Sequence, residues 1–281
     1  MSQPLQQPIS AILKKHDLLP DKSLGQNFLT DPNILKKITQ IAGVSDTDTV
    51  LEIGAGLGHL TDQLAQSAAR VVAVELDDRL IPALEENLST HKNIKIVQGD
   101  ILSLNPQDLV SENNYLVVAN IPYYITSRII RNLLESEVKP NRIILTIQHE
   151  VAQRICAKQG KMSLLSLSVL MYGEPSLEMR IPAGAFYPQP KVDSSVILMN
   201  LHETPLLKAG LRVKFFRIVK AGFLHRRKTL RNSLSKGLAT DPAEVENLLV
   251  ETGIDPQRRA ETLSMEEWLE LTRNYDNINS S

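Results

Sequence analysis

The chain has 281 residues, of which 42% are hydrophobic, and a formal net charge of −1 at pH 7. This length predicts one large domain or two of unequal size, while a single cysteine, Cys156, and six scattered histidines exclude an internal disulfide and give no metal-ligand spacing, so we expect no bound metal. Residues 1–22 lack the apolar core of a secretory signal and no apolar run is long enough to span a membrane, so we expect a cytoplasmic protein without a membrane partner.

Strands and helices alternate over the first two-thirds of the chain. Helices are predicted from the glycine loop to about residue 67, over 79–88 and over 127–134. The apolar runs predict strands over residues 49–53, 70–75, 93–97, 115–119, 142–147 and 194–201. This alternation indicates right-handed βαβ units on a mostly parallel sheet.

A glycine loop follows the first of these strands. It reads Glu52-Ile-Gly-Ala-Gly-Leu-Gly58, and Glu75 ends the next strand, where a carboxylate can accept hydrogen bonds from two ribose hydroxyls. This combination fits a dinucleotide or S-adenosylmethionine. The dinucleotide pattern G-x-G-x-x-G requires a small residue at position 59, which is occupied by His59.

Two further acids favour S-adenosylmethionine over a dinucleotide. Asp100 ends the third strand, where its carboxylate can accept the amine of an adenine, and Glu52 adds a negative charge beside the loop. A negative loop suits a cofactor with an ammonium and a sulfonium better than a pyrophosphate. The alternative is that the glycines only form a turn and that Glu75 and Asp100 cap the following helices.

The sequence Asn120-Ile-Pro-Tyr-Tyr124 stands at the end of the fourth strand. The amide oxygen of Asn120 and nearby carbonyls are acceptors, Pro122 has no competing N–H, and Tyr123 offers a ring for stacking. This set fits an amine on a flat base. Acceptors that pull the amine toward tetrahedral geometry localise its lone pair for attack. Packing of a Pro-Tyr turn on the core is the alternative.

A basic segment begins after Glu203 and ends before Asp241, and it contains no acidic residue. Apolar residues recur among its cations at spacings of three and four, which predicts basic amphipathic helices. A solvated helix face and a membrane surface are the alternatives, but nucleic acid is favoured because no acidic partner lies within the segment. The cations are Lys208, Arg212, Lys214, Arg217, Lys220, Arg226, Arg227, Lys228, Arg231 and Lys236.

Helix signals continue to the end of the chain. Asp241-Pro-Ala-Glu244 predicts a helix start, Gly253 a helix end, and Ser264-Met-Glu-Glu267 a second capping box. We place a domain boundary near Glu203-Thr-Pro205, which gives a domain of residues 1–203 and a helical domain of residues 204–281.

The motifs together resemble the small-subunit rRNA adenine N6,N6-dimethyltransferase family, of the kasugamycin-resistance type. The resemblance runs nearly end to end, although Ala55 stands where many members have proline. The segments that carry it are 23–29 (SLGQNFL), 51–58 (LEIGAGLG), 120–123 (NIPY), 186–194 (FYPQPKVDS), 215–234 and 258–264 (RRAETLS).

The resemblance implies a role for each motif residue. The family's cofactor site would comprise Asn27, Leu29, Gly54, Glu75, Asp100 and Asn120. The catalytic group would comprise Asn120, Pro122, Tyr123 and Phe186, with Tyr123 stacked on the target adenine and Phe186 on its other side. Plain core packing is the alternative for Phe186, and the role of Tyr124 stays open. RNA contacts are expected from Arg226, Arg227, Lys228 and Arg231.

The implied fold is a Rossmann-like class I S-adenosylmethionine-dependent methyltransferase sheet with a smaller C-terminal all-α domain. The implied reaction dimethylates two adjacent adenosines near the 3′ end of 16S rRNA in the immature small subunit, by a monomer. Two other hypotheses stand beside it: a large-subunit rRNA methyltransferase of the macrolide-resistance type, and a non-catalytic assembly factor with a vestigial pocket. The Arg-Arg-Lys-Thr-Leu-Arg-Asn run at 226–232 favours the first over the large-subunit enzyme, and intact Glu75, Asp100 and Asn120 argue against the assembly factor.

Overall fold

The computed structural model describes residues 7–110 and 114–280, so the first six residues of the predicted polar start lie outside the described part. The first part of the chain contains α1 (Ile9–Lys15), β1 (Phe28–Leu29), α2 (Pro32–Ala42), β2 (Thr49–Ile53), α3 (His59–Ala65), β3 (Arg70–Glu75), α4 (Ile81–Leu88), β4 (Ile94–Gln98), α5 (Pro106–Leu109), β5 (Leu116–Asn120) and α6 (Thr126–Glu135). It continues with β6 (Arg142–Gln148), α7 (His149–Ile155), α8 (Leu164–Leu170), β7 (Gly173–Ile181), β8 (Phe186–Tyr187) and β9 (Ser194–Leu201). Four helices follow: α9 (Ala209–Phe223), α10 (Leu230–Leu238), α11 (Pro242–Glu251) and α12 (Met265–Ser280).

The main sheet has the strand order β4-β3-β2-β5-β6-β9-β7. The five strands β4, β3, β2, β5 and β6 run parallel to one another, while β9 is antiparallel to β6. The order reverses between β2 and β5, since the chain leaves β2 toward β3 and β4 and later returns to the other side. In open sheets of this kind, ligands bind beyond the carboxyl ends of the strands at such a reversal. The predicted Rossmann-like sheet is confirmed.

The central strands are apolar because both faces of the sheet are covered. Val50, Leu51, Val71 and Val117 are all fully buried, which explains why these strands read as continuous apolar runs rather than as alternating ones. The edge strand β4 is only partly buried. The core therefore lies on both faces of β2, β3 and β5, and it holds their carboxyl ends in fixed register.

A small second sheet brings together two motifs that are far apart in the sequence. Strand β1 pairs with β8 in antiparallel register, with Phe28 opposite Tyr187 and Leu29 opposite Phe186. The amide of Thr30 extends this pairing by donating to the carbonyl of Ala185 over 2.9 Å. The N-terminal motif and the 186–194 motif are therefore neighbours.

Helices α9 to α12 form a layer of their own around the buried Phe215 and Trp268. The predicted capping box at the start of α12 is present. The Ser264 amide donates to the Glu267 carboxylate over 2.7 Å, and the Glu267 amide donates to Ser264 Oγ over 3.2 Å. Asp241 caps α11 as predicted, through the amide of Ala243 at 2.8 Å. No described helix is long and apolar enough to cross a membrane.

The chain divides into two compact units. The first comprises Met1–Ala152 and Ser176–Leu201, and the second comprises Gln153–Pro175 and His202–Ser281. The longer segment of the second unit begins at His202, next to the predicted boundary at residue 203. The shorter segment, which contains α8, was not predicted to belong to the second unit. The domain limits 1–203 and 204–281 stay a prediction.

Candidate functional site

A cavity opens at the carboxyl ends of β2, β3, β4 and β5, where the sheet order reverses. The cavity is in the first unit, and its lining includes most residues of the predicted cofactor and catalytic groups. Those residues are Asn27, Gly54, Glu75, Asp100, Asn120, Pro122 and Tyr123. Strand register explains most of this convergence, because all of these residues except Asn27, which precedes β1, stand at or just after the end of a strand.

Glu75 is the buried acid of the cavity, with 6% of its surface exposed. One of its oxygens accepts the amide of Gly56 at 2.7 Å, and the other accepts the amide of Asp77 at 2.9 Å. Burial raises the pKa of Glu75, and the two amides oppose this by stabilising the carboxylate. Each oxygen keeps a second lone pair, so the carboxylate can still accept a pair of ribose hydroxyls.

The glycine loop is shaped to let a ligand approach the backbone. Gly54 and Gly56 have φ angles of 78° and 59°, a region in which side chains are strained. A Cβ on Gly56 would lie 3.1 Å from the ring of Phe28, and a Cβ on Gly54 would lie 3.4 Å from the carbonyl of Asn120. The loop therefore keeps open the space between Glu75 and Asn120.

Asp100 occupies the far end of the cavity. Its Oδ1 accepts the amide of Leu102 at 2.9 Å, so its other oxygen is the acceptor left for a base amine. A buried acid for ribose, a second acid for adenine and an open glycine loop match an adenosine-containing cofactor. The same lining fits the predicted S-adenosylmethionine.

Glu52 differs from the sequence-based interpretation. The side chain is 1% exposed and lines a smaller cavity behind the glycine loop, where its Oε2 has no hydrogen-bond partner among the described residues. Burial, reinforced by the nearby Glu75 carboxylate, raises the pKa of Glu52 to about 8. In the free protein at neutral pH this carboxyl is therefore mostly protonated, and it does not supply the negative charge that the sequence suggested.

This buried carboxyl predicts a pH-dependent stability. The folded chain binds the Glu52 proton more tightly than the unfolded chain, whose carboxyl has its ordinary pKa of 4.5. The contribution to the free energy of unfolding is therefore full below that value and is lost as pH rises through about 8, by up to about 1.4 kcal/mol per pH unit. Glu52→Gln should flatten this decline in urea unfolding measured between pH 5 and pH 9. Parallel curves for the two proteins would contradict it.

Asn120 is the last residue of β5, and its amide is held in one orientation. The Nδ2 group donates to the backbone carbonyl of Asn27 over 3.0 Å. Since a carbonyl can only accept, this contact fixes which side-chain atom is the nitrogen and leaves Oδ1 as an acceptor. The register Asn120–Thr146 with the next strand holds the backbone. The predicted acceptor is thus in place at the wall of the cavity.

Pro122 and the two tyrosines that follow it all line the cavity. Tyr123 is half-buried, and its hydroxyl lies 2.7 Å from Ser194 Oγ. Tyr124 is 60% exposed, and a Cβ on Gly25 would lie 3.4 Å from its ring, so Tyr124 packs beside the N-terminal motif. Tyr124, whose role the sequence had left open, is thus one of the residues that line the cavity.

Two predicted site residues are not in the main cavity. Leu29 lines the smaller cavity behind the glycine loop. Phe186 is 4% exposed and packs in the hydrophobic core with Leu29 and Leu35. The structure therefore shows Phe186 in the core setting that was its alternative interpretation, and its contact with a target base stays a prediction.

A network of hydrogen bonds and ion pairs, which the sequence did not predict, connects the N-terminal motif to the loop after Glu75. Asp77 accepts the Gln26 side-chain amide at 2.7 Å and the guanidinium of Arg79 at 2.7 and 2.8 Å. Arg79 also reaches Asp21 at 3.2 Å. These contacts lower the pKa of Asp77, with Arg79 the largest cause. Gln26 lines the cavity, so the network positions one of its walls.

The basic segment lies in the second unit. Arg226, Arg227 and Lys228 are exposed in the turn between α9 and α10, and among the described residues none of the three has an acidic partner within 4.0 Å. Arg231 differs, because its guanidinium is paired with Glu246 at 2.7 Å. Lys214 is likewise paired, with Asp276. Acidic residues from outside the basic segment thus pair with two of its ten cations.

The part of the chain that the structure describes holds no cluster of three or more His, Cys, Asp or Glu that could bind a metal.

Comparison with known proteins gives consistent results. The family model "Ribosomal RNA adenine dimethylase" matches residues 20–277. Proteins named "Ribosomal RNA small subunit methyltransferase A" are 45% identical in Dehalococcoides mccartyi, over 94% of this chain and 91% of that protein, and 45% identical in Shouchella clausii, over 94% and 92%.

Two solved structures resemble this one over most of its length. The 23S rRNA methyltransferase ErmE is 29% identical, with a TM-score of 0.74 over 89% of this chain and 100% of that chain. A dimethyladenosine transferase from Plasmodium falciparum, at 23% identity, has a TM-score of 0.78 over 90% of this chain and 98% of its own, which shows a shared fold.

Proposed function

The chain belongs to the ribosomal RNA adenine dimethylase family, and we propose that it methylates the N6 amines of two adjacent adenosines near the 3′ end of 16S rRNA. The observation that carries this function is the position of Asn120, which lines the same cavity as Glu75 and Asp100 and whose Nδ2 bond to Asn27 leaves Oδ1 as an acceptor. An acceptor for an amine therefore stands within the cofactor cavity itself. The methyl groups come from S-adenosylmethionine, which is the family's cofactor.

The residues of the cavity divide into holding and reacting groups. Glu75 holds the ribose of the cofactor, Asp100 its adenine, and Gly54 with Asn27 its methionine end. S-adenosylmethionine supplies a methyl group on a sulfonium, a good leaving group, so no base has to ionise the amine before attack. Asn120 Oδ1 and the carbonyls around Pro122 accept the amine hydrogens and aim the lone pair. Catalysis then comes from alignment and from preorganised acceptors.

Each transfer is balanced at the target nitrogen. The N6 lone pair forms the bond to the methyl carbon, the bond from carbon to sulfur breaks with its electrons on sulfur, and the resulting cationic amine releases one proton to water. The cavity contains acceptors but no positive side chain among its described lining residues, which suits a nitrogen that becomes positive. A second turnover replaces the second hydrogen. The target adenosine has to leave its stack to reach Asn120.

The relatives favour small-subunit rRNA over the large-subunit alternative. Identity to proteins named for the small subunit is 45%, against 29% to the 23S enzyme ErmE. A purely structural assembly factor is disfavoured because the cofactor and amine-binding residues are intact and share one cavity. We further propose that the protein acts as a monomer on the immature small subunit.

Nucleoside analysis tests the reaction. Unmodified 16S rRNA in immature small subunits is treated with the protein and S-adenosylmethionine, digested and examined by mass spectrometry. We expect N6,N6-dimethyladenosine at two adjacent positions near the 3′ end. Monomethyladenosine as the final product at saturating enzyme and cofactor, or modification of 23S rRNA instead, would contradict the proposal.

The exposed basic turn predicts how the protein binds RNA. Neutralising Arg226, Arg227 and Lys228 together should weaken binding to immature small subunits, because these side chains are free to contact phosphates. If each contacts one phosphate, the slope of log K against log salt should fall by roughly two to three units. Affinity is measured across a salt series. Affinity for S-adenosylmethionine should not change, since the cofactor cavity lies in the first unit.

A matched control variant loses three positive charges at positions outside the basic turn. Lys36, Lys37 and Lys95 are exposed and belong to α2 and β4 of the first unit. Their joint change to glutamine removes three positive charges without altering the turn, and the salt slope should stay near that of the unaltered protein. Equal slopes for both triple variants would show that net charge, and not the turn, determines binding.

A further inference from the structure

Ser194 is a fully buried polar residue at the start of β9, and its hydroxyl lies 2.7 Å from that of Tyr123. No other partner of the Tyr123 hydroxyl is present among the described residues. Burial raises the pKa of the Tyr123 phenol, which therefore stays neutral and can donate to Ser194 or accept from it. The contact joins the loop after Asn120 to a strand of the main sheet.

The strand topology explains why a residue so distant in sequence reaches the site. The carboxyl ends of the parallel strands β5 and β6 lie at one edge of the sheet. Because β9 is antiparallel to β6, its first residue lies at that same edge, with Ser194 opposite Gln148. Because Ser194 is paired within the main sheet and fully buried, it can serve as an anchor.

Tyr123 needs such an anchor more than its neighbours do. It follows Pro122 in a single 3-10 turn between β5 and α6. The turn fixes its backbone, since Thr126 Oγ1 donates to the Tyr123 carbonyl over 3.2 Å, but nothing in the turn fixes the ring. A ring that stacks on a base must be held to within about 0.5 Å and 10–20° to preserve a reactive geometry.

We propose that Ser194 is a positioning residue for methyl transfer: it holds the Tyr123 ring in the orientation that stacks on the target adenine. The inference rests on the proposed function, because it assumes that Tyr123 stacks on the base. Ser194 does not touch the substrate, and it acts through one hydroxyl contact. It therefore affects the alignment of a bound base and not the binding of RNA or cofactor.

The neighbouring serine provides a matched control. Ser195 is equally buried, but successive side chains of a strand point to opposite faces, and Ser195 Oγ lies 2.8 Å from His149 Nδ1. Ser195→Ala removes one buried hydroxyl contact from the same strand, as Ser194→Ala does, and leaves Tyr123 untouched. Any loss that comes only from weakening β9 is common to both variants.

The test is steady-state methyl transfer to immature small subunits by Ser194→Ala, Ser195→Ala, Tyr123→Phe and the double variant Ser194→Ala/Tyr123→Phe. We expect kcat to fall about three- to tenfold in Ser194→Ala and in Tyr123→Phe, with KM for the subunits and affinity for S-adenosylmethionine unchanged. The double variant should be no slower than Tyr123→Phe alone, because both changes remove the same contact. Ser195→Ala should retain kcat.

Three results would overturn the inference while the unaltered protein is active. They are an unchanged kcat in Tyr123→Phe, losses in Ser194→Ala and Tyr123→Phe that multiply in the double variant, and an equal loss of kcat in Ser195→Ala. If Ser194→Ala does not fold, Tyr123→Phe removes the same hydroxyl contact through its other partner. The kcat of Tyr123→Phe then tests the inference. An inactive unaltered protein would instead contradict the proposed function.

Discussion

Asn120→Ala is expected to reduce methyl transfer about a hundredfold or more while leaving affinity for S-adenosylmethionine largely intact. The change removes the acceptor Oδ1 of a residue that lines the cavity and whose amide is oriented by the Nδ2 bond to the carbonyl of Asn27. Loss of one preorganised hydrogen-bonding group in other active sites costs about 10²–10³ in kcat, which sets the expected scale. Single-turnover methyl transfer to 16S rRNA measures the chemical step, and calorimetry measures cofactor affinity.

Asn120→Asp separates orientation from the mere presence of an acceptor. Aspartate keeps two acceptor oxygens of nearly the same size, but it has no N–H to donate to the Asn27 carbonyl, so one oxygen would face another at about 3.0 Å. We expect this variant to be slow as well. A rate near that of the unaltered protein for Asn120→Ala would remove Asn120 from the catalytic group, and a near-normal rate for Asn120→Asp would show that the Asn27 contact is dispensable.

The sequence was most informative where chemistry lies at strand ends. Strands β2, β3 and β9 begin and end at the predicted residues because each apolar run is bounded by turn or polar residues. Because β2, β3, β4 and β5 are parallel, Gly54, Glu75, Asp100 and Asn120 have to meet at one edge of the sheet. The grouping of these four residues was therefore predictable from the alternation of strands and helices.

Contacts between distant segments were not predictable in this way. The bond from Asn120 to Asn27 spans 93 positions and the contact of Tyr123 with Ser194 spans 71. Both depend on the pairing of β1 with β8 or on the antiparallel course of β9, which no local pattern reveals. The one available signal was that the 186–194 motif ends in a serine that opens an apolar strand.

Among the elements that the sequence did not predict, α2 and β7 were missed for different reasons. Helix α2 has local signals, since Asp31 caps its first turn, Pro32 begins it and Gly43 ends it, but each of these residues is equally common in turns. Strand β7 has none, because it contains Pro175 and several charged residues and shows no regular alternation of burial. It forms by adding to β9 at the sheet edge, where neighbours rather than propensity decide the structure.

The charge state and the ionic partners of side chains were the properties least well predicted from the sequence. Glu52 was interpreted as a negative charge, but the fold removes its carboxyl from water and raises its pKa to about 8. Arg231 was expected to contact RNA because its segment contains no acidic residue, but α11, outside that segment, supplies Glu246 as its partner. Burial and long-range pairing determine both outcomes, and neither is visible in the local sequence.

Glu75→Ala is expected to weaken S-adenosylmethionine binding about a hundredfold. If the carboxylate accepts two ribose hydroxyls, each charge-assisted bond contributes roughly 1.5 kcal/mol at the lower end, about 3 kcal/mol together. The loss should exceed this value if the glycine loop also moves, because the Gly56 amide would lose its acceptor at 2.7 Å. Isothermal calorimetry gives the affinity, and thermal unfolding shows that the variant is folded. NAD should not bind either protein, because position 59, where the dinucleotide pattern requires a small residue, is a histidine.

Two further variants distinguish ribose binding from support of the loop. Glu75→Gln keeps the length of the side chain and one acceptor oxygen, so it should lose less affinity than alanine does. Asp78→Ala removes an exposed carboxylate from the same turn and should bind S-adenosylmethionine normally, which shows that local negative charge is not the cause. A folded Glu75→Ala protein with unchanged affinity would remove Glu75 from the site. Equal losses in Asp78→Ala and Glu75→Ala would instead attribute the effect to the field of the turn, because hydrogen bonds require contact and a field does not.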